Sequence, residues 1–234
     1  MPGVEHLHAD APALAAALAG ALHAACAEAL AVRGTALLSL AGGGTPLPAY
    51  RALAAAPLPW ARVTAFPGDE RCVPHADPAC NLRALRAAFA ACAGIDLQPL
   101  TTADGDPERS VVEARTRLAR HPQAWDAVVL GMGLDAHTAS LFPGAPQLPA
   151  ALAEDGAADA LRIDPQPLPA EAPYPRITLT MPRLLRARSI HLAITGAAKR
   201  EVLHAALRAH DPLRHPVAAL VHASATPVQV HWSP

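Results

Sequence analysis

An acid and a histidine lie close together in a segment that is otherwise rich in glycine. Asp135 and His137 are separated by one residue and follow Gly131 and Gly133. Histidine suits proton transfer near neutral pH, because the reference pKa of imidazole is about 6.5. With 12 histidines in the chain, an arbitrary one is most often structural, but the neighbouring acid and glycines single out His137. These two side chains could therefore place an acid and an imidazole in one pocket.

The same segment imitates a dinucleotide-binding fingerprint. Its glycines and Ala136 form a GxGxxA string, but Pro143 and Gly144 interrupt the helix that such a fold requires. No strand ending in an acid follows about 20 residues later. These departures argue against a dinucleotide site.

Three successive glycines at residues 42–44 follow a predicted strand and precede Thr45 and Pro46. Glycines let backbone N–H groups approach an anion, and the N-terminus of the next helix adds a favourable dipole. The Lys-Ser/Thr ending of a nucleoside-triphosphate loop is missing. We interpret Gly43, Gly44 and Thr45 as a phosphate loop; the alternative is a flexible turn.

Two further segments place charges after predicted strands. Asp69 and Arg71 belong to an Asp-Glu-Arg triplet, and the planar guanidinium of arginine can hold a phosphate through paired hydrogen bonds. Taken alone, such a triplet is more often a solvated charge cluster. Lys199 lies in the first turn of a predicted helix, where a cation opposes the helix dipole unless an anion is bound. Both segments are candidates for anion binding.

A metal site is the alternative for the acid–histidine pairs. Asp135 with His137, and His75 with Asp77, each supply two possible ligands. Neither pair has a clear third ligand at local spacing. We expect no metal, so EDTA should leave activity unchanged; a reproducible loss restored by metal would contradict this.

Strands and helices alternate along the chain. Asp10 caps a predicted first helix, and Gly34 ends it. Further helices are predicted at 46–56, 80–92 and 107–120, between the strands at 177–180 and 190–195, and after Lys199. Strands are predicted at 35–40, 63–66, 95–100, 127–130, 160–163, 177–180, 190–195 and 228–232. This alternation implies an α/β fold with a mostly parallel sheet covered on both faces. Ligands bind such sheets outside the carboxyl ends of the strands, where the glycines and acids fall.

Composition narrows the class of protein. Lys and Arg number 19 against 20 Asp and Glu, whereas proteins that neutralise nucleic-acid phosphates carry a basic excess. The N-terminus lacks the pattern of a signal peptide. The Ala/Leu-rich stretch 11–32 contains polar residues and a glycine, so we interpret it as a soluble helix rather than a membrane span. The four cysteines form no CxxC pair and are expected to be reduced. We expect one cytoplasmic domain over residues 1–234, without nucleic-acid or membrane partners.

Taken together, these segments resemble the successive signatures of the 6-phosphogluconolactonases. Matching stretches occur in family order at 42–46, 69–74, 131–144, 176–180 and 196–199, with Asn81 after the second. The stretch 137–143 is the most specific. The resemblance implies a three-layer Rossmann-like fold shared with glucosamine-6-phosphate deaminases, with no metal or organic cofactor. It also implies hydrolysis of a sugar phosphate lactone, 6-phospho-D-glucono-1,5-lactone, in the second step of the oxidative pentose phosphate pathway.

The resemblance further implies a role for each matched residue. His137 is expected to activate water as general base, while Asp135 orients it or tunes its charge. The other matched residues are expected to bind the substrate and its phosphate: Gly43, Gly44, Thr45, Asp69, Arg71, Lys199 and, as a weaker candidate, Arg176. One departure concerns Ala136, where the family usually has glycine; a Cβ there is strained if φ is positive.

Two rival functions stay open. An aminosugar-phosphate deaminase or isomerase on the same fold would carry an acid soon after the histidine, where this chain has residues 140–142, Ser-Leu-Phe. A non-catalytic sugar-phosphate-binding regulator would usually add a DNA-binding segment, and none is evident. The expected assembly is a monomer or a weak homodimer.

Overall fold

The structure, a computed structural model, describes residues 3–169 and 172–234. The described residues form ten strands: β1 (Gly3–Leu7), β2 (Ala36–Leu40), β3 (Val63–Pro67), β4 (Asp69–Arg71), β5 (Asp96–Leu97), β6 (Ala127–Leu130), β7 (Ala160–Ile163), β8 (Arg176–Leu179), β9 (Ile190–Thr195) and β10 (Val228–Ser233). They also form eight α-helices: α1 (Ala11–Arg33), α2 (Leu47–Ala54), α3 (Asn81–Ala88), α4 (Pro107–Leu118), α5 (Leu148–Leu152), α6 (Met181–Leu185), α7 (Ala197–Ala209) and α8 (Pro216–Ala223).

Seven of the strands form the main sheet, in the order β1-β10-β9-β6-β2-β3-β5. Every pairing between neighbours in this sheet is parallel. The central strands β2 and β6 are buried along their whole length, which explains why they read as continuous apolar runs rather than alternating ones. The predicted α/β fold with a mostly parallel sheet is confirmed.

The helices cover both faces of this sheet. Successive residues of a strand point to opposite faces, so Val128 and Leu130 of β6 join one apolar cluster while Ala127 and Val129 join the other. The first cluster includes side chains of α4 to α8, and the second those of α1, α2 and α3. The result is the three-layer arrangement that the sequence predicted.

Helix α1 begins and ends where the sequence predicted. The Asp10 carboxylate accepts the N–H of Ala13 at 2.8 Å, and Gly34 closes the helix at φ 76°. By length and composition alone α1 is long and apolar enough to cross a membrane. Its buried leucines recur every four residues, at 14, 18 and 22, and pack against the sheet, as in a core helix.

A small antiparallel sheet, β4-β8-β7, stands beside the main sheet. The sequence predicted two of its strands, but the triplet that contains Asp69 was expected to follow a strand and in fact forms β4. In its register Asp69 pairs with Thr178 and Arg71 with Arg176. This pairing brings two predicted phosphate-binding residues side by side.

Other differences from the prediction are local. The strand expected at 95–100 shortens to Asp96–Leu97. Strand β1 and helices α5 and α8 were not predicted. Helix α5 lies in the proline-rich stretch 143–176, and β1 becomes a strand by pairing with β10 at the far end of the chain.

Candidate active site

One cleft of about 440 Å³ lies at the carboxyl ends of the central parallel strands. Its walls include His137 and all the residues predicted to bind the substrate: Gly43, Gly44, Thr45, Asp69, Arg71, Arg176 and Lys199. They come from the segments after β2, β3, β6 and β9 and from the small sheet, which is the crevice where open α/β sheets bind ligands. A larger groove of about 520 Å³ between α6 and α8 has mainly apolar walls and contains none of these residues.

His137 and Asp135 are in direct contact. The His137 Nδ1 lies 2.5 Å from Asp135 Oδ1, and the backbone N–H of His137 donates to the same oxygen at 3.2 Å. Burial alone would raise the pKa of Asp135, but the hydrogen bonds and charge of His137 hold it below its ordinary value of 3.8. An ionised carboxylate only accepts hydrogen bonds, so the proton of a neutral imidazole sits on Nδ1. The Nε2 lone pair then has no partner among the described residues.

The imidazole of His137 is also packed against an aromatic ring. Its centroid lies 4.3 Å from that of Phe142, with 34° between the planes. The His137 side chain keeps 29% of its surface exposed. Phe142 thus limits the rotation of the ring while one edge stays open to the cleft.

The glycine-rich turn offers unused backbone donors. The N–H groups of Gly43, Gly44 and Thr45 have no acceptor within the part of the chain that the structure describes. A Cβ built on Gly43 or Gly44 would meet nothing within 4 Å, so packing of the protein does not require glycine at either position. Close approach of a ligand to the backbone is the remaining physical reason for glycine there.

The three cationic side chains in the cleft differ in how many hydrogen bonds they already make to the protein. Arg71 donates from Nη1 to the Ala79 carbonyl at 2.6 Å. The almost fully buried Arg176 donates to the carbonyls of Tyr174 at 2.8 Å and Ala172 at 2.7 Å. Lys199 has no hydrogen-bond or ion-pair partner among the described residues, and it is the only lysine in the sequence. Lys199 is therefore the cation most available to a ligand.

Comparison with known proteins identifies the family. A family model described as glucosamine-6-phosphate isomerases/6-phosphogluconolactonase matches residues 9–232. The chain belongs to this family. A curated relative from Rhizobium meliloti, named 6-phosphogluconolactonase, is 35% identical over 231 residues, which cover 98% of each chain.

Solved structures agree with the family assignment. The crystal structure of a 6-phosphogluconolactonase from Shewanella baltica superposes with a TM-score of 0.92 at 32% identity, covering 99% of this chain and 98% of that one. A monomeric glucosamine-6-phosphate deaminase gives a TM-score of 0.79 at 20% identity, covering 98% of this chain and 96% of the other. The expected fold relationship between lactonases and deaminases is thereby confirmed.

The position at which this chain departs from the usual family glycine lies in a strained turn. Ala136 has φ 65°, a left-handed conformation that disfavours a Cβ. Its carbonyl accepts the N–H of Val217 in the first turn of α8 at 3.1 Å. The turn is closed by the Gly133 N–H, which donates to the His137 carbonyl at 3.0 Å, and by the Ala136 N–H, which donates to the Gly133 carbonyl at 3.1 Å. A Cβ on Gly133 would collide with the His137 ring. Gly133 is needed so that His137 can fold back over its own turn.

Ser140 was not among the predicted site residues, although it lies in the matching stretch 137–143. Its hydroxyl donates to Asp69 Oδ2 at 2.5 Å, and its N–H donates to Thr178 Oγ1 at 3.2 Å. Asn81 donates from Nδ2 to the Asp69 carbonyl at 2.8 Å and packs against Gly42, where a Cβ would collide with it. These contacts join the Asp69 strand to both glycine-rich segments.

Glu70 points away from the cleft. In a strand, alternate side chains face opposite ways, so Asp69 and Arg71 line the cleft while Glu70 is fully buried. Its carboxylate accepts the N–H groups of Arg71, Asn81 and Leu82 at 2.7 to 2.8 Å. Burial raises the pKa of Glu70 to about 6, although these N–H groups act in the opposite direction. Glu70 thus anchors the N-terminus of α3 to β4.

No group of three metal-ligating side chains occurs within residues 3–169 and 172–234. The two residues of the alternative pair have other partners: His75 Nε2 contacts Thr101 Oγ1 at 3.1 Å, and Asp77 accepts the N–H of Ala79 at 2.7 Å. The insensitivity to EDTA stays a prediction.

Proposed function

We propose that this chain hydrolyses 6-phospho-D-glucono-1,5-lactone to 6-phospho-D-gluconate with His137 as the general base. The curated relative and the 32%-identical solved structure carry the name 6-phosphogluconolactonase, which supports the activity. The observation that supports the residue assignment is the shared cleft: His137 and the proposed phosphate-binding residues line the same cavity.

The chemical step needs one proton acceptor and a polarised carbonyl. Water attacks the lactone carbonyl carbon while its proton passes to His137 Nε2, and the new C–O bond leaves a tetrahedral oxyanion that backbone N–H groups can stabilise. The ring C–O bond then breaks, and the imidazolium returns its proton to the departing ring oxygen, which becomes a hydroxyl. Asp135 holds the ring in the required tautomer and stabilises its protonated form.

Binding of the remote phosphate orients the carbonyl. A dianionic phosphate fits the free N–H groups of Gly43, Gly44 and Thr45 and the ammonium of Lys199. Arg71 and Arg176 add positive charge from the small sheet, and we assign Asp69 to accept a sugar hydroxyl. Binding of the phosphate fixes the lactone carbonyl near His137, and this orientation lowers the activation barrier for hydrolysis.

The deaminase alternative is disfavoured by the residues after His137. Ser140 donates to Asp69, and Phe142 packs on the imidazole, so neither position supplies the acid expected of a deaminase. We further propose one catalytic domain acting in the cytoplasm as a monomer or weak homodimer, without cofactor, nucleic-acid or membrane partners.

The test is a coupled assay in which glucose-6-phosphate dehydrogenase generates the lactone and its disappearance is followed with and without this protein. We expect clear acceleration over spontaneous hydrolysis; the absence of acceleration would contradict the proposal. Release of ammonia from glucosamine 6-phosphate would establish the deaminase instead. Calorimetric binding of 6-phosphogluconate without turnover would favour the regulator. Lys199→Gln should raise KM about ten- to hundredfold, the effect of losing one charge-assisted hydrogen bond, with little change in kcat.

A further inference from the structure

The residue that precedes helix α7 is held by the last strand of the sheet. Gly196, at φ 87°, has no side-chain cap to fix the start of the helix. Instead its carbonyl accepts the indole N–H of Trp232 at 3.0 Å, and its own N–H donates to the Ser233 carbonyl at 2.9 Å. Both polar backbone groups of Gly196 are therefore bonded to β10.

The residue after Lys199 is held by a second set of contacts. The Arg200 guanidinium lies 4.7 Å above the Trp232 ring, within cation–π distance. It also donates to the Glu5 carboxylate of β1 from Nε at 3.2 Å and from Nη2 at 2.9 Å. His204, one turn further along α7, contacts the same carboxylate at 2.8 Å. The first turn of α7 is thus tied to the edge strand β1 and to its neighbour β10.

Lys199 lies between these two attachments and differs from both. Gly196 is hydrogen-bonded to β10 and Arg200 to β1. Lys199 lines the cleft, and its ammonium has no partner among the described residues. A flexible side chain loses more entropy on binding when its own backbone is also mobile. A fixed backbone under a free ammonium is the arrangement that favours capture of an anion.

We propose that Trp232 is a positioning residue for Lys199, acting through the Gly196 carbonyl and through the stacked Arg200. The inference rests on the proposed role of Lys199 in binding the substrate phosphate. Trp232 touches no reacting atom in this account. It sets substrate affinity, and it leaves the chemical step at His137 unchanged.

The protein contains a matched control for this arrangement. Trp125 also donates its indole N–H to a backbone carbonyl, that of Arg183, at 3.0 Å, and the Arg183 guanidinium lies 3.9 Å above its ring. Trp125 precedes β6, at the amino edge of the sheet, opposite to the cleft. Replacing either tryptophan by phenylalanine removes the same hydrogen bond and keeps a ring for the arginine.

The experiment compares Trp232→Phe, Trp125→Phe, Lys199→Gln and the double variant Trp232→Phe/Lys199→Gln in the lactone assay. Trp232→Phe should raise KM about five- to tenfold with kcat within about twofold, the range of one neutral hydrogen bond. Trp125→Phe should lower the melting temperature and leave KM unchanged. In the double variant KM should equal that of Lys199→Gln alone, because both changes disable the same contact. Wild-type KM in Trp232→Phe, or a double-variant KM equal to the product of the two single effects, would overturn the proposal.

Binding of inorganic phosphate, measured by calorimetry on the wild type and the same four variants, separates this inference from the proposed function. If the wild type binds phosphate, Trp232→Phe weakens that binding and no protein turns over the lactone, the lactonase assignment fails and the positioning role stands. If the wild type turns over the lactone but Trp232→Phe binds phosphate as tightly as the wild type does, the lactonase assignment stands and the positioning role fails. Should Trp232→Phe fold poorly, Arg200→Met removes the outer attachment alone and should also raise KM; an unchanged KM there overturns the proposal.

Discussion

Histidines occur in two settings in this protein. In the cleft, His137 contacts the carboxylate of Asp135 through one ring nitrogen, and its other ring nitrogen has no partner among the residues that the structure describes. On the face of the main sheet covered by α1, four imidazoles stack across neighbouring strands, and none of them contacts a carboxylate within the described residues: His6, His8, His191 and His231. We call this second group the histidine stack.

Two rings of the histidine stack, His191 and His231, are buried and disfavour protonation. His8 Nε2 lies 3.2 Å from His231 Nδ1, and His231 Nε2 lies 3.2 Å from His191 Nδ1. His191 and His231 are only 4% and 5% exposed. Burial, reinforced by neighbouring imidazoles, lowers the pKa of His191 to about 4 and that of His231 to about 3. These rings serve as core residues near neutral pH.

The comparison shows how the setting of the proposed catalytic histidine differs from that of a buried structural one. The His137 ring contacts a carboxylate and keeps an open edge that water can reach. His191 and His231 have neither, and their protonation is opposed by burial. The partner and the solvent access of the imidazole, rather than the residue type, decide its chemistry.

The sharpest way to break this comparison is to make the same substitution in both places. His137→Gln removes the proposed base, so kcat should fall about a thousandfold, with KM within about threefold. His231→Gln should leave kcat within about twofold. Both variants are measured in the lactone assay after circular dichroism confirms folding. Near-normal hydrolysis by a folded His137→Gln protein would remove the base assignment.

The sequence predicted His137 and Asp135 because their relationship is local. One residue separates them, and glycines on either side mark a turn. The capping of α1 by Asp10 and Gly34 is local in the same sense, and both predictions of its ends are confirmed. Interactions of this kind depend on short spacings that a single sequence displays.

The histidine stack was not predicted, because strand register creates it. His8 and His231 are 223 residues apart and meet only because β1 pairs with β10. The contact between Ser140 and Asp69 likewise joins residues 71 positions apart. Strand β1 was not predicted either, because its own residues show only a weak strand pattern and it is stabilised by pairing with the distant β10. Composition and periodicity contain no information about which distant strands become neighbours.

Gly133 tests whether the geometry around His137 matters as much as its chemistry. A methyl group on Gly133 would collide with the His137 ring and the Asp135 carboxylate, so Gly133→Ala should displace the ring. Since small displacements of a catalytic group reduce rates steeply, kcat should fall about a hundredfold. Gly20→Ala in α1 is the control, because a Cβ there meets nothing within 4 Å. Equal activity of the two variants would mean that the ring position is not critical.

The histidine stack should make the fold sensitive to acid. His191 and His231 have folded pKa values of about 4 and 3, below the ordinary 6.5, so the unfolded chain takes up protons first as pH falls. Their contribution to stability is complete above pH 6.5 and is lost below it, by at most about 1.4 kcal/mol per pH unit for each ring. We expect a loss of about 2 kcal/mol for each ring between pH 7 and pH 5, or about 4 kcal/mol for the pair.

Glu70 acts in the opposite direction, because its folded pKa of about 6 is raised and its protonation favours the folded state between about pH 6 and 4.5. The effect of the stack is therefore measured as the difference in unfolding free energy between the wild type and a variant that lacks the two buried histidines. Urea unfolding from pH 7 to 5 should show a steeper loss of stability in the wild type than in His191→Gln/His231→Gln. Parallel curves for the wild type and the double variant would show that the stack does not govern acid stability.

The smallest expected effect concerns the backbone next to His137. This backbone is strained at Ala136, whereas the histidine stack lies on regular β-strands. At φ 65°, Ala136→Gly relieves about 1 kcal/mol of left-handed strain, but it loses a buried methyl group worth about 0.8 kcal/mol and gains unfolded-state entropy. These terms nearly cancel, so the free energy of unfolding should change by less than about 1 kcal/mol. Ala114→Gly, equally buried but in α4, has no strain to relieve and should lose about 2 kcal/mol. If the two variants are destabilised equally in urea, the turn under His137 stores no strain, and only side-chain contacts distinguish the cleft histidine from those of the stack.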